Sequence, residues 1–118
     1  MQLTERRSLL KLIPEIVRQL IVKHIHSVDV VEILLLLRQE PHKEWGALAI
    51  GRALRMERIS VEARLQTLLS AQLASARQVG AEQLFRYDPS TIELRRAVDE
   101  LANWYSSHRV AIIALIYS

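Results

Sequence analysis

Ile50-Gly51-Arg52-Ala53-Leu54-Arg55-Met56-Glu57-Arg58-Ile59-Ser60-Val61 is the stretch on which the fold turns, together with Leu65, Leu68 and Leu73 beyond it. Ile50, Ala53 and Leu54 recur at the three and four spacing that puts side chains on one face of a helix, and Gly46 stands where such a helix of two turns is capped. A second helix is expected from Arg58 to Ala71, with Val61, Leu65, Leu68 and Leu69 on one side and Ala63, Thr67 and Ser70 on the other. Between them lie only Arg55, Met56 and Glu57, so two short helices are joined tightly without a strong turn residue. The period then changes. Leu73 to Gln78 and Gln83 to Tyr87 flank Val79-Gly80-Ala81-Glu82, which reads as a small hairpin with Phe85 and Tyr87 on one face.

Upstream, Val28 to Arg38 is so apolar, through Ile33-Leu34-Leu35-Leu36-Leu37, that other elements must surround it. Ser27 caps this core helix, Asp29 suits its positive end and Pro41 stops it. Before it, Thr4 caps a first short helix, and Pro14 opens a second that runs to about Ile25, with Ile16, Val17, Leu20, Ile21 and His24 along one side. Downstream, Ser90-Thr91-Ile92-Glu93 has the spacing of a capping box. No breaker follows, so the last helix is expected to run about 27 residues, about 40 Å at 1.5 Å per residue. Its stripe of Leu94, Ala97, Val98, Leu101, Tyr105, Ile112 and Ile113 is longer than one small core needs.

The whole chain has 118 residues, 50% of them hydrophobic and 25% charged, with no cysteine. That length fits one small domain: terminal helices over 1–26, a core over 27–88 and a last helix over 89–118. The lack of cysteine excludes disulfides, thiolate metal sites and cysteine nucleophiles, and fits a reducing, cytoplasmic setting. The longest apolar runs, such as Val110 to Tyr117, fall far short of the roughly 20 residues of a membrane span. The start, Met1-Gln2-Leu3-Thr4-Glu5-Arg6-Arg7, does not have the pattern of a signal peptide. The formal net charge is +3, and the excess lies in residues 43–87, where Lys43, Arg52, Arg55, Arg58, Arg64, Arg77 and Arg86 stand against Glu44, Glu57, Glu62 and Glu82. Arginine suits bidentate phosphate contact, although its dominance over lysine along the chain also fits the codon bias of a GC-rich genome.

The order core helix, short helix, tight turn, second helix, hairpin, long helix resembles the winged helix-turn-helix of MarR-like and ArsR-like transcription regulators. Ile50-Gly51-Arg52-Ala53-Leu54, Met56, Val61, Leu65, Leu68 and Leu73 match its apolar positions without a gap, and Phe85-Arg86-Tyr87-Asp88-Pro89 looks like the end of its second wing strand. The resemblance covers about residues 27–88. It implies a mainly helical fold with a hairpin wing, and a second helix that lies in a major groove of double-stranded DNA while the wing touches the neighbouring backbone. Carried over by position, the DNA-facing candidates are Arg58, Ser60, Glu62, Arg64 and Thr67 on that helix, Arg77 on the wing, and Arg52 and Arg55 near phosphates, with Ile59 and Ala63 on the same surface. The sequence departs from the family at Glu57, where a small capping residue is usual, at the acidic Glu62 and exposed Ile59, and at Gln72 in place of a frequent glycine. Those departures keep a second reading open, in which the winged helix docks onto another protein and no longer binds DNA.

Other chemistry finds little support. His24 and His26, two apart, point to different faces of a helix, so no metal is expected. Ser8-Leu9-Leu10-Lys11 matches a Ser-x-x-Lys pattern by chance, Gly46 and Gly51 lack the following Lys-Ser/Thr of a phosphate loop, and no carboxylate pair is visible. The chain is read as non-catalytic and without a cofactor. Trp45, just before the short helix, is expected to plug the core. A terminal segment as apolar as Val110 to Tyr117 needs a covering partner, and the cheapest is a second copy of the chain. The homodimer is expected to bury Ile16, Leu20, Leu101, Tyr105, Ile112, Ile113 and Ile116, with a groove between the N- and C-terminal helices as a place for an unidentified small effector.

Overall fold

The computed structural model describes residues 10–118. The expected helix capped by Thr4 lies outside the described residues. The described elements are α1 (Glu15–His24), α2 (Val28–Gln39), α3 (Ala47–Leu54), α4 (Arg58–Ser70), β1 (Ala74–Val79), β2 (Glu82–Tyr87), α5 (Ile92–Ser107) and α6 (Arg109–Ile116). They fall into two compact units. One joins the chain up to Val28 with Ile92–Ser118, and the other spans Asp29–Thr91.

In the central unit α2 buries Val30, Val31, Ile33, Leu34 and Leu37, as its unbroken apolar run requires. Ile50, Val61, Leu65, Leu68 and Leu73 are all fully buried, so the spacing that decided the fold is the spacing of the core. Within α3, however, Ala53 is exposed and Gly51 takes the inward place. The reason is backbone proximity: a Cβ on Gly51 would stand 2.7 Å from the carbonyl oxygen of Met56, in the turn between α3 and α4. Only a residue without a side chain lets the turn close so tightly against the helix.

Both helices of the motif end on a left-handed residue that is not glycine. Arg55 (φ 57°) stops α3, with Met56 N–H donating to Gly51 O at 2.9 Å. Gln72 (φ 62°) stops α4, where Leu73 N–H donates to Leu68 O and Gln72 N–H to Leu69 O, both at 3.0 Å. That second pair is the Schellman arrangement, in which the last carbonyls of a helix are satisfied by the chain folding back. Its usual glycine is replaced at a cost of about 1 kcal/mol for a side chain in left-handed backbone. Gln72 recovers part of it, because its Oε1 accepts from the Ser90 hydroxyl at 2.8 Å.

The wing is a two-stranded antiparallel hairpin with Ala74 opposite Tyr87 and Val79 opposite Glu82. Its loop is Gly80-Ala81, two residues rather than the expected four, with φ +62° on Gly80, where a type II′ turn places its glycine. Phe85 and Tyr87 are both buried, as their shared face predicts. Trp45 is also buried and forms an isolated bridge to Phe85, exchanging two 2.8 Å backbone bonds, so the residue expected to plug the core also anchors the wing. Lys43 lies over its ring at 3.7 Å. A second tether joins Arg77 on β1 to Glu44 through two side-chain bonds, one of them Nη2 to Oε1 at 2.7 Å.

The terminal unit packs α1, α5 and α6 together. Pro14 takes the N-cap position of α1, and Val17, Leu20 and Ile21 are its buried side. Two expectations for the last helix need correction. It begins at Ile92, which makes Thr91 rather than Ser90 the capping position, and Ser90 instead turns its hydroxyl to Gln72. Nor is it continuous: the backbone breaks at His108 (φ −137°, ψ 54°), so α6 is a separate helix. Ser107 Oγ bonds Asn103 O and approaches His108 Nδ1, both at 2.9 Å, so side-chain polar contacts gather at the break, where neither glycine nor proline marks a stop. Beyond the break, the Tyr117 hydroxyl accepts from Val28 N–H at 3.2 Å, satisfying a donor at the start of α2.

Three outcomes follow, the first two for denaturation experiments. Gly51→Val forces the turn away from α3 and costs about 2 kcal/mol, whereas Gln72→Gly relieves left-handed strain and adds about 0.5 kcal/mol; urea midpoints moving the opposite way for either would contradict these contacts. The third concerns pH. Bonding to Arg77 is the main cause that holds the Glu44 carboxyl below its ordinary 4.5. A depressed folded value means that the unfolded chain binds the proton more readily, so the stabilisation is complete above the unfolded pKa and is lost as pH falls through the folded one. The Arg77 Nε–H resonance should therefore shift on acidification to below pH 4.5, and Glu44→Gln should abolish that step.

Candidate nucleic-acid interface

Helix α4 turns Val61, Leu65 and Leu68 inward. At 100° per residue this leaves Ile59 and Ala63 along the outer ridge, Arg58, Glu62 and Gln66 on one flank, and Ser60, Arg64 and Thr67 on the other. The exposures follow that wheel: Ile59 is 81% exposed, Ala63 is exposed, and Ser60, Arg64 and Thr67 are half-buried. The sequence-derived candidates of α4 are thus divided between two flanks rather than gathered in one row.

Their charges are also divided. Arg58 Nε donates to Glu62 Oε1 at 3.1 Å, an exposed i,i+4 pair of small energetic weight that still offsets one positive charge. Thr67 spends its hydroxyl on Ala63 O at 3.4 Å. Arg77 is held by Glu44, and Arg86 lies 3.5 Å from Asp88. Arg52 and Arg55 are exposed at the end of α3 and carry no ion pair or hydrogen bond among the described residues. Arg64 keeps a buried Nε with no partner. Among the candidate residues, Arg52, Arg55 and Arg64 are therefore the guanidinium groups without an ion pair within the described residues.

Between α4 and the wing runs a groove of about 750 Å³. Arg58, Glu62 and Gln66 form one wall, Gln78, Val79 and Glu82 the other, and Leu48 of α3 contributes to its lining. Leu48 and Val79 are exposed apolar residues that sequence reading passed over. The signal was present in Leu48, an apolar residue off the inward stripe of α3. For Glu44 there was none, since its partner is 33 residues away.

The expected dimer residues are likewise placed unequally. Leu20, Leu101, Tyr105 and Ile112 are buried within one chain, while Ile16, Ile113 and Ile116 are half-buried. Among the described residues of the terminal unit, the large apolar side chains left exposed are Leu12, Val22, Ile92, Val110 and Tyr117. Among the described residues no group of His, Asp and Glu is arranged to hold a metal ion, and no helix is long and apolar enough to cross a membrane.

The sequence matches no protein-family model and no curated protein. Among solved structures, the chain is similar to the solution structure of the homodimeric winged helix-turn-helix DNA-binding domain of Mb0332 from Mycobacterium bovis, a fragment of residues 1–100 described as a possible ArsR-family transcriptional regulator. The two share 27% identity at a TM-score of 0.58, over 75% of this chain and 77% of that one. With the helix pair, its tight turn and the hairpin on the page, the fold is a winged helix-turn-helix, a form common to the MarR-like and ArsR-like resemblance.

Proposed function

We propose that the protein is a non-catalytic transcription regulator of the cytoplasm, which binds double-stranded DNA as a homodimer with α4 in the major groove. The observation that carries this reading is the bare outer side of α4, bordered by the unpaired Arg52, Arg55 and Arg64, in a fold similar to a homodimeric DNA-binding domain. In it Arg52 and Arg55 neutralise phosphates, and Arg64 does so from the half-buried flank beside Ser60 and Thr67. Arg58 and Glu62 meet base edges as a pair, the guanidinium suited to guanine and the carboxylate to cytosine N4. Arg77 joins the backbone contacts once Glu44 is exchanged for a phosphate.

Dimerisation is assigned in this reading to the terminal unit, through the exposed Val22, Val110 and Tyr117 and the half-buried Ile113 and Ile116. An apolar set of this kind is what a two-fold contact covers. The buried Leu20, Leu101, Tyr105 and Ile112 support that surface from beneath.

A second reading has its own observation. Leu48, Ile59 and Val79 are exposed apolar side chains of the central unit, and Glu62 and Glu82 lie in the groove between α4 and the wing. A protein partner would use that apolar surface, and the carboxylates would repel nucleic acid.

Fluorescence anisotropy with a mixed pool of duplex DNA at several salt concentrations, beside sedimentation, separates the two. The regulator reading expects a dimer whose affinity falls steeply with salt. Each of Arg52→Ala and Arg55→Ala lowers the salt slope by about 1, and Arg58→Ala relaxes sequence preference by about 1–3 kcal/mol at one position. Val22→Asp with Val110→Asp splits the dimer. A dimer that leaves duplex DNA unbound even at low salt would refute the DNA reading.

A further inference from the structure

Among the described residues, the most exposed large apolar side chain is Ile59, at 81%, and it stands second in α4. It adds no burial to the core, which Val61, Leu65 and Leu68 supply from the other side of the helix. Nor does helix formation explain it, because a β-branched side chain is a poorer helix former than alanine. Ile59 is also separate from the groove between α4 and the wing: Arg58 and Glu62 line that groove with Leu48 and Val79, whereas Ile59 and Ala63 do not. One turn apart and both exposed, Ile59 and Ala63 form an apolar ridge that faces away from the core.

The place of this ridge limits what it can recognise. In the DNA reading, on which the inference rests, the first turns of α4 are the part of the helix that meets base edges. A major groove presents donors, acceptors and one apolar group, the C5-methyl of thymine. Isoleucine and alanine side chains have no hydrogen bond to give, so a cytosine amino group or a guanine carbonyl pressed against them loses water and gains no partner. A thymine methyl is buried there instead, and the small Ala63 lets the helix approach closely. Polar readout has its own flank beside the ridge. Glu62 holds Arg58 through Nε at 3.1 Å, and the terminal nitrogens of that guanidinium carry no other bond among the described residues.

We propose that Ile59, with Ala63 beside it on the outer ridge of α4, reads the C5-methyl group of a thymine in each half-site bound by the homodimer. The chemistry recognised is a methylated pyrimidine edge. 5-Methylcytosine presents the same group, and separate duplexes distinguish the two sources.

Duplexes enriched by the full chain from a randomised pool, then resynthesised with deoxyuridine in place of thymidine one position at a time, test this by fluorescence anisotropy. At one position of each half-site, loss of the methyl should weaken binding about fourfold, the effect of removing one buried methyl. Ile59→Ala, at a site too exposed to disturb the core, should reduce that difference to less than about twofold. Ile92→Ala, an exposed apolar residue outside the ridge, should keep it whole. Equal affinity for thymine and uracil duplexes at every position, or a difference that survives Ile59→Ala, would overturn the inference and leave the DNA reading standing. Tighter binding after 5-methylation of cytosine, with no response to uracil, would overturn thymine as the source. Failure to enrich any duplex at low salt would overturn the inference and the DNA reading together.

Discussion

The carbonyl of Met56 comes so close to Gly51 that the chain has no room for a side chain there, and this contact governs how near α4 lies to α3. Val61 Cγ2 lies 3.8 Å from the same would-be Cβ, so the first buried residue of α4 is seated by the same approach. From that seat the helical period alone decides which residues of α4 are inward and which remain on the surface. The wing is then positioned from the other end of α4, where Leu73 is drawn back by its bond to Leu68 and β2 is fastened to Trp45. An interface built on α4 and the wing thus depends on backbone geometry more than on any single surface side chain.

Electrostatics temper that geometry. The basic excess of the middle of the chain is real, but Glu62 and Glu44 hold two of its arginines in ion pairs, and neither pair is shielded from water. In water such pairs exchange readily with phosphate, at small cost, so the surface remains compatible with a polyanion while its long-range attraction is reduced. Arg52, Arg55 and Arg64 provide what is not already neutralised. A dimer of this pattern would double those three arginines by symmetry, with the fit of α4 adding to the charge they bring.

The core was legible because burial repeats at the helical and strand periods: Ile50, Val61, Leu65 and Leu68, then Phe85 and Tyr87, could be placed from spacing alone. The stops were less so, since Arg55 and Gln72 occupy left-handed positions where glycine is the usual sign. The break at His108 was hidden for a related reason, because neither glycine nor proline stands there. Its consequence was larger. A stripe that looked too long for one chain is divided, and α6 packs against α1 and α5, burying Ile112. Four of the seven residues expected at a dimer interface, Leu20, Leu101, Tyr105 and Ile112, are instead buried within one chain. At the candidate interface, sequence located the flanking arginines but not the pairing of Arg77 with Glu44, which is long-range in the chain.

The central claim is that the uncovered side of α4 is the surface that meets DNA. Titrating the isotopically labelled protein with duplex DNA at low salt, and following its backbone amide resonances, tests this directly. The account predicts shifts concentrated on Arg52, Arg55, the segment Arg58 to Thr67 and the wing tip at Gly80, with α1 and α5 little affected. Shifts confined to the terminal helices, or none at a concentration where the protein is folded and dimeric, would contradict it.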